Sequence, residues 1–375
     1  MLARVCLSDL HLGDARSVLS NPEISSQVVS ELVKLSGGTI GTLILNGDVW
    51  EESVPSDMTM MASGLAQSVL RASKRFLGDL LMQIHVETIV VVPGNHDLSL
   101  WAWYCGVAAQ EPLCTGAKGR SIDPGKWPWS HLLDGYGGEL IFSYPVYQDT
   151  SVGEDFPMLV FTHGHILDPL VLGWDPTAEY TALEALGCSR PNVPADDLDL
   201  TSLQDLALRV NEFCLTLWKR YSSRNYIYSN YIMRRLLHPQ ACEWQTFKLE
   251  NGLVAMDDFS DEPSEHQGYA AQLPWFLNLL LMDPNLPSPV GMIGEGLVGP
   301  AFTKPSCLVF GHDHLGLRKT IMSCGVPFQV VDSGGWTVEF DGHLPHCHVL
   351  VWPKKADVVP QPFFLRARTK MGGLL

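Results

Sequence analysis

The chain has 375 residues, room for one large α/β domain with a substantial insertion or for two ordinary domains. Hydrophobic residues make up 46% and charged residues 18%, which promises a sizeable core and excludes wholesale disorder. A net charge of −16 excludes the basic footprint from which a general nucleic-acid binder draws its affinity.

In chain order, the first apolar run, Val5-Cys6-Leu7, ends in Ser8-Asp9-Leu10-His11. Asn21-Pro22-Glu23 then reads as a helix start, with a capping residue, a proline at the first turn and an acid beside it. That helix runs to about Ser36 and stops at Gly37-Gly38. Residues 42–45 form a second apolar run, ending in Asn46-Gly47-Asp48, and a second helix is expected over residues 57–82. Residues 88–92 run into Pro93-Gly94-Asn95-His96-Asp97. Residues 158–161 run into Thr162-His163-Gly164-His165, and residues 307–310 into Gly311-His312-Asp313-His314. Short runs bounded by Gly or Pro read as buried strands, and strand–helix alternation implies parallel pairing with right-handed crossovers. Further strands are expected near residues 140–144, 328–331 and 348–351.

Two stretches fall outside this pattern. Residues 98–138 read as a long loop rich in Trp, Gly and Pro. Residues 166–304 read as a mostly helical insertion that could serve as a lid, with helices over 177–186 and 200–237. Inside it, Lys219, Arg220, Arg224, Arg234 and Arg235 interleave with tyrosines, as a clamp for substrate phosphate or as a solvated helix face. The nine cysteines include no Cys-x-x-Cys pair and suggest reduced thiols. No signal-peptide pattern precedes the first motif, and apolar runs such as residues 275–282 are too short to span a bilayer. A soluble cytoplasmic protein is expected.

Each polar strand end is weak evidence by itself, since a lone Asp-x-His or Gly-Asp is usually a loop or a turn. Together they are specific. Five fragments follow apolar runs directly, and they hold six of the thirteen histidines. Asp, His and Asn are the oxygen and nitrogen donors that suit Mn, Fe and Zn. Residues two apart at a strand end, such as Asp9 and His11, are expected on one side.

The ordered set resembles the calcineurin-like metallophosphoesterase superfamily, whose pattern is D-x-H, G-D, G-N-H-[DE], H, then G-H-x-H. The resemblance covers a core of residues 1–165 and 305–352. It leaves out the 166–304 insertion and a C-terminal tail, 353–375. It implies a four-layer α/β/β/α sandwich and a centre of two divalent metal ions. Carried over by position, Asp9, His11, Asp48 and His314 hold one ion. Asp48, Asn95, His163 and His312 hold the other, with Asp48 bridging. His96 stabilises the phosphoryl group or protonates the leaving oxygen, and Asp97 orients its imidazole. His165 supports the site from behind or is structural. The implied reaction is hydrolysis of a phosphomonoester or phosphodiester by a metal-bridging hydroxide, with nucleic acid entering only as a substrate.

Two other readings share the fold. The bacterial UDP-diacylglucosamine hydrolases are similar in Asp9-Leu10-His11-Leu12 and Gly47-Asp48, which points to a nucleotide- or lipid-linked pyrophosphatase. They carry Arg where this chain has His96, and a shorter insertion. Non-catalytic relatives, such as a retromer subunit, tend to lose a ligand or the histidine of G-N-H, and this chain keeps Asn95, His96, His163, His312 and His314. The H-x-H-x-D-H run of metallo-β-lactamase-like enzymes is absent.

Overall fold

The computed structural model describes residues 1–14, 16–51, 62–97, 100, 119–123, 125, 130–133, 135–144, 146–149, 159–165, 247–255, 306–312, 314, 316, 318–323, 326–337, 346–354, 357 and 359–369. The expected helices at 177–186 and 200–237, the basic stretch at 219–235 and the apolar run at 275–282 lie outside the described residues. So do most of the 98–138 loop and Asp313.

The chain opens with β1 (Leu2–Leu7), α1 (Pro22–Ser36) and β2 (Thr39–Asn46). The sequence's caps hold: the Asn21 side chain accepts from Glu23 N–H and Ile24 N–H, worth about 1 kcal/mol, and the helix ends at Gly37 with φ 61°. The second helical stretch is described from residue 62 onward. It comprises α2 (Ala62–Ser73), a π-helical turn (Lys74–Gly78) and α3 (Asp79–Gln83), and leads into β3 (His85–Val92). Shorter strands follow: β4 (Arg120–Ile122), β5 (Glu139–Phe142), β6 (Tyr147–Asp149) and β7 (Leu159–Phe161). The remaining strands are β8 (Phe247–Ala255), β9 (Ser306–Phe310), β10 (Arg318–Ser323), β11 (Val326–Asp332), β12 (His348–Trp352) and β13 (Gln361–Thr369).

These strands form two sheets. One has eight strands in the order β4-β5-β3-β2-β1-β12-β13-β8, the other five in the order β10-β11-β9-β7-β6. β1, β2 and β3 pair in parallel, as alternation with helices implies, and β7, β9 and β11 do the same in the second sheet. Period-2 alternation sends neighbouring residues to opposite faces. Val5, Leu7, Leu43 and Leu45 join Ile24, Val28 and Leu32 of α1 in one cluster. Cys6, Ile44, Val90 and Val92 pack with Phe161, Cys307, Val309 and Val331 of the second sheet in another. Helix, sheet and sheet are thus three successive layers, and the expected fourth layer lies outside the described residues. No helix among the described residues is long and apolar enough to cross a membrane.

Two segments placed outside the core by the sequence lie in its larger sheet. The expected tail holds β13, which pairs antiparallel with β12. β8, from inside the expected insertion, pairs antiparallel with β13.

Candidate metal centre

Parallel strands end together, so the loops after β1, β2, β3, β7 and β9 meet along one edge of the two sheets. Backbone hydrogen bonds hold those loops in register. Asp9 N–H donates to Gly47 O, His11 N–H to Asp48 O and Leu12 N–H to Val49 O, each at 2.9 Å. In the second sheet, Thr162 N–H donates to Val309 O at 3.0 Å and Gly311 N–H to His163 O at 2.8 Å.

The backbone turns sharply at this edge. Among the described residues, the non-glycine positions with positive φ are Asp9 (52°), His11 (44°), Asp48 (48°), His312 (79°) and His314 (60°). All five are expected ligands. A left-handed L residue costs roughly 1–2 kcal/mol, and such strain gathers at functional sites. Strand alternation is therefore not what brings Asp9 and His11 together: β1 has ended at Leu7, and two left-handed turns do it instead. Two glycines supply the room. A Cβ on Gly94 would stand 2.2 Å from Asp48 Oδ1, and one on Gly311 2.1 Å from Asp9 Oδ2.

The side chains converge. Asp48 Oδ2 lies 3.2 Å from His163 Nε2, 3.8 Å from His11 Nε2 and 4.0 Å from His96 Nε2. Asp9 Oδ1 lies 3.2 Å from His314 Nε2 and accepts the His312 backbone N–H at 3.0 Å. Asn95 Oδ1 is 3.1 Å from His163 Nε2. Donor atoms of Asp9, His11 and His314 fall within 4.8 Å of one another. So do those of Asp48, His163 and His312, and of His11, Asp48 and His96. His165 is buried against His163 and stacks on Tyr144, with ring centroids 5.2 Å and 6.1 Å away.

Asp97 does not do what the sequence suggests. Its carboxylate accepts Trp50 N–H at 2.9 Å and Gly94 N–H at 2.8 Å, so it fixes the two loops. The carboxylate on the His96 ring is Glu51, whose Oε2 lies 2.9 Å from His96 Nδ1 and 3.0 Å from His11 Nδ1. Sequence reasoning missed Glu51. The available signal was a pair of acids, Glu51-Glu52, beginning three residues after Asp48.

Electrostatics tie these groups together. Burial alone would raise Asp48, but the charges of His163, His96 and His11 hold it well below the usual carboxylate range. Glu51 behaves alike: burial is outweighed by His96 and His11. Burial opposes protonation of His96, yet Glu51 and then Asp48 raise it to about 9. For His163, Asp48 and then Asp9 outweigh burial, again to about 9.

The residues fit a pair of divalent cations. Since a carboxylate only accepts, His11 donates Nδ1–H to Glu51 and turns the lone pair of Nε2 toward the cluster. That Nε2 is buried with no hydrogen-bond partner in the protein, as a metal-ligating nitrogen would be. In motif order and in their meeting at one edge, the chain resembles the calcineurin-like metallophosphoesterases.

No family model and no curated protein matches the sequence. Among solved structures, phosphopantetheinyl hydrolase from Mycobacterium tuberculosis is similar at 14% identity, over 89% of each chain, with a TM-score of 0.27. A dimetal phosphatase from Danio rerio is similar at 12% identity, over 94% of this chain and 92% of that one, with a TM-score of 0.31. Overlap at this level carries no argument for fold or activity.

Proposed function

We propose that the protein is a metal-dependent phosphoric ester hydrolase with a dinuclear centre, built on a four-layer sandwich. The observation that carries this is Asp48 Oδ2, buried among the imidazole nitrogens of His163, His11 and His96 at 3.2–4.0 Å. Asp9, His11, Asp48 and His314 would hold one cation. Asp48, Asn95, His163 and His312 would hold the other, with Asp48 shared between them. Oxygen and imidazole donors suit Mn, Fe or Zn. Two such cations supply Lewis acidity toward a phosphoryl oxygen and acidify water.

The chain's own groups do the rest. With Nδ1–H on Glu51, His96 directs Nε2 to the cluster, 4.0 Å from Asp48 Oδ2. From there it stabilises phosphoryl charge or gives a proton to the leaving oxygen. Glu51 sets the tautomer and tilt of that ring. Asp97 holds the loop that carries it. Asp9 is anchored by the His312 backbone N–H. The substrate class is a phosphomonoester or phosphodiester. The buried free thiols of Cys6, Cys307 and Cys347 support a reducing compartment, the cytoplasm.

The test is metal analysis with a parallel assay on p-nitrophenyl phosphate and bis-p-nitrophenyl phosphate in Mn²⁺. The wild type should bind two equivalents of metal and turn over one or both esters. Asp48→Ala should lose metal and activity together. His96→Ala should keep metal and lose roughly 10²–10⁴-fold in kcat. Two bound equivalents with no hydrolysis of any ester would instead mark a binding protein on the same fold.

A further inference from the structure

Residues 333–337 leave β11 and run along the edge where the expected ligands gather, outside all five motif fragments. Hydrogen bonds clip this strap to the loops of both sheets. Ser333 N–H donates to Phe310 O, at the end of β9, at 2.8 Å. Trp336 N–H donates to Asp9 O at 3.1 Å, and Trp336 O accepts Val18 N–H at 2.8 Å. Thr337 closes the clip through an antiparallel bridge with Ser17. Trp336 and Thr337 are both buried.

His314 lies against this strap. A Cβ on Gly335 would stand 2.4 Å from the His314 Cγ and 2.6 Å from its Cδ2, so the ring rests on bare backbone. The His11 ring meets it edge-on, with centroids 5.4 Å apart. Thr337 Oγ1 is 3.4 Å from Nδ1, and Asp9 Oδ1 is 3.2 Å from Nε2. His314 needs such a hold more than its neighbours do. Its side chain is 16% exposed, against 5% for His11 and 0% for His163, and its backbone is left-handed at φ 60°.

The Nδ1 atoms repeat one arrangement. His11 Nδ1 faces the Glu51 carboxylate at 3.0 Å, and His163 Nδ1 faces the Asn46 carbonyl at 3.2 Å. Both partners only accept, so Nδ1 carries the hydrogen and Nε2 keeps its lone pair for the cluster. At His314 the Nδ1 partner is a hydroxyl, which can accept in the same sense. An imidazole that ligates a metal gives its other N–H to an acceptor of this kind.

We propose that Thr337 is a positioning residue for the metal centre: its hydroxyl accepts Nδ1–H of His314 and, with Gly335 behind the ring, aims Nε2 at the cation of Asp9, His11 and Asp48. This deepens the two-metal reading above and rests on it.

The test is calorimetric titration of the full chain with Zn²⁺, for wild type, Thr337→Val and Thr337→Ser. It is paired with proton–nitrogen NMR of the imidazoles in the Zn²⁺-loaded protein. In wild type the His314 ring, assigned by its loss in His314→Gln, should carry its hydrogen on Nδ1. Thr337→Val keeps the size and removes the acceptor. One of the two equivalents should weaken roughly 10–100-fold while the other stays as in wild type. Thr337→Ser keeps the hydroxyl and should restore the tight equivalent. Equal weakening of both equivalents with a lowered Tm overturns the proposal, because the strap is then a structural clip alone. Thr337→Ser as weak as Thr337→Val overturns it too, since the methyl group then matters and the hydroxyl does not. A loaded wild type with the His314 hydrogen on Nε2 rules it out without any variant, which keeps the test open if Thr337→Val does not fold. Two equivalents bound as tightly in Thr337→Val as in wild type sink this inference alone. Wild type that takes up no metal sinks the two-metal reading and this with it.

Discussion

Nδ1 of His96 lies 2.9 Å from Oε2 of Glu51, a carboxylate with no exposed surface. The same oxygen is 3.0 Å from Nδ1 of His11. One buried acid therefore sets the tautomer of a metal-type ligand and of the proposed acid together. Glu51→Gln keeps the shape but removes the charge, and with its oxygen in the place of Oε2 its NH2 would stand where Oε1 lies, 3.0 Å from Nδ1 of His96. Metal affinity and kcat/KM should each fall roughly 10–100-fold, read by chelator competition and by steady-state kinetics. A variant that matches wild type in both would remove Glu51 from the site.

Gly94 sits where no side chain fits. An alanine Cβ would stand 2.2 Å from Asp48 Oδ1 and 2.4 Å from Asp48 N; the second is backbone, and the first is a buried carboxylate oxygen that accepts the His96 backbone N–H at 2.7 Å. Gly94→Ala should cost about 1–3 kcal/mol or more and lower Tm by several degrees. It should also weaken metal binding, because Asp48 must shift. Gly78→Ala has nothing within 4 Å of the new Cβ and is the control, expected to melt close to wild type.

Arg4 and Asp149 form an ion pair between the two sheets, with side chains 1% and 4% exposed. Arg4→Met alone strands the Asp149 charge and should cost about 3–5 kcal/mol in urea denaturation. Adding Asp149→Leu should restore most of that. If the double variant is no better than the single, the pair is not what the single change disturbs.

His348 gives stability a pH dependence. Burial, then the charge of His346, lowers its imidazole from 6.5 to about 4. The folded state therefore keeps His348 neutral while the unfolded chain takes up a proton as pH falls through 6.5. Its contribution is complete above pH 6.5 and is lost as pH drops to about 4, by on the order of 3 kcal/mol. Between pH 7 and pH 4.5, wild type should lose more unfolding free energy than His348→Gln. Carboxylates contribute to both proteins alike, so parallel curves would contradict the assignment.

What the sequence made legible was local. α1 carries its own caps at Asn21 and Gly37, and the apolar runs before Asp9, Asp48 and Asn95 are too short and too bounded to be anything but strands. What it hid depended on partners far along the chain. β8 contains Asn251-Gly252, a pair that alone reads as a turn, and it is held straight by β13 more than a hundred residues later. β13 includes Pro362 and follows a Pro-rich stretch, so propensity argued against it until β12 and β8 flanked it on either side. Asp97 and Glu51 are both acids near His96 in space, and adjacency in sequence favoured the wrong one. The left-handed turns at the ligands were hidden because only a few per cent of non-glycine residues adopt positive φ, even though Asp and His are enriched among them.

Those turns set stability against activity. Glycine adopts positive φ without the Cβ clash, so at His312 and His314, both partly exposed, it would relax the backbone by up to about 1–2 kcal/mol each. A directed-evolution campaign that scored only heat resistance would drift toward glycine at those positions. It would return well-folded, long-lived protein from which the chemistry had been bred out.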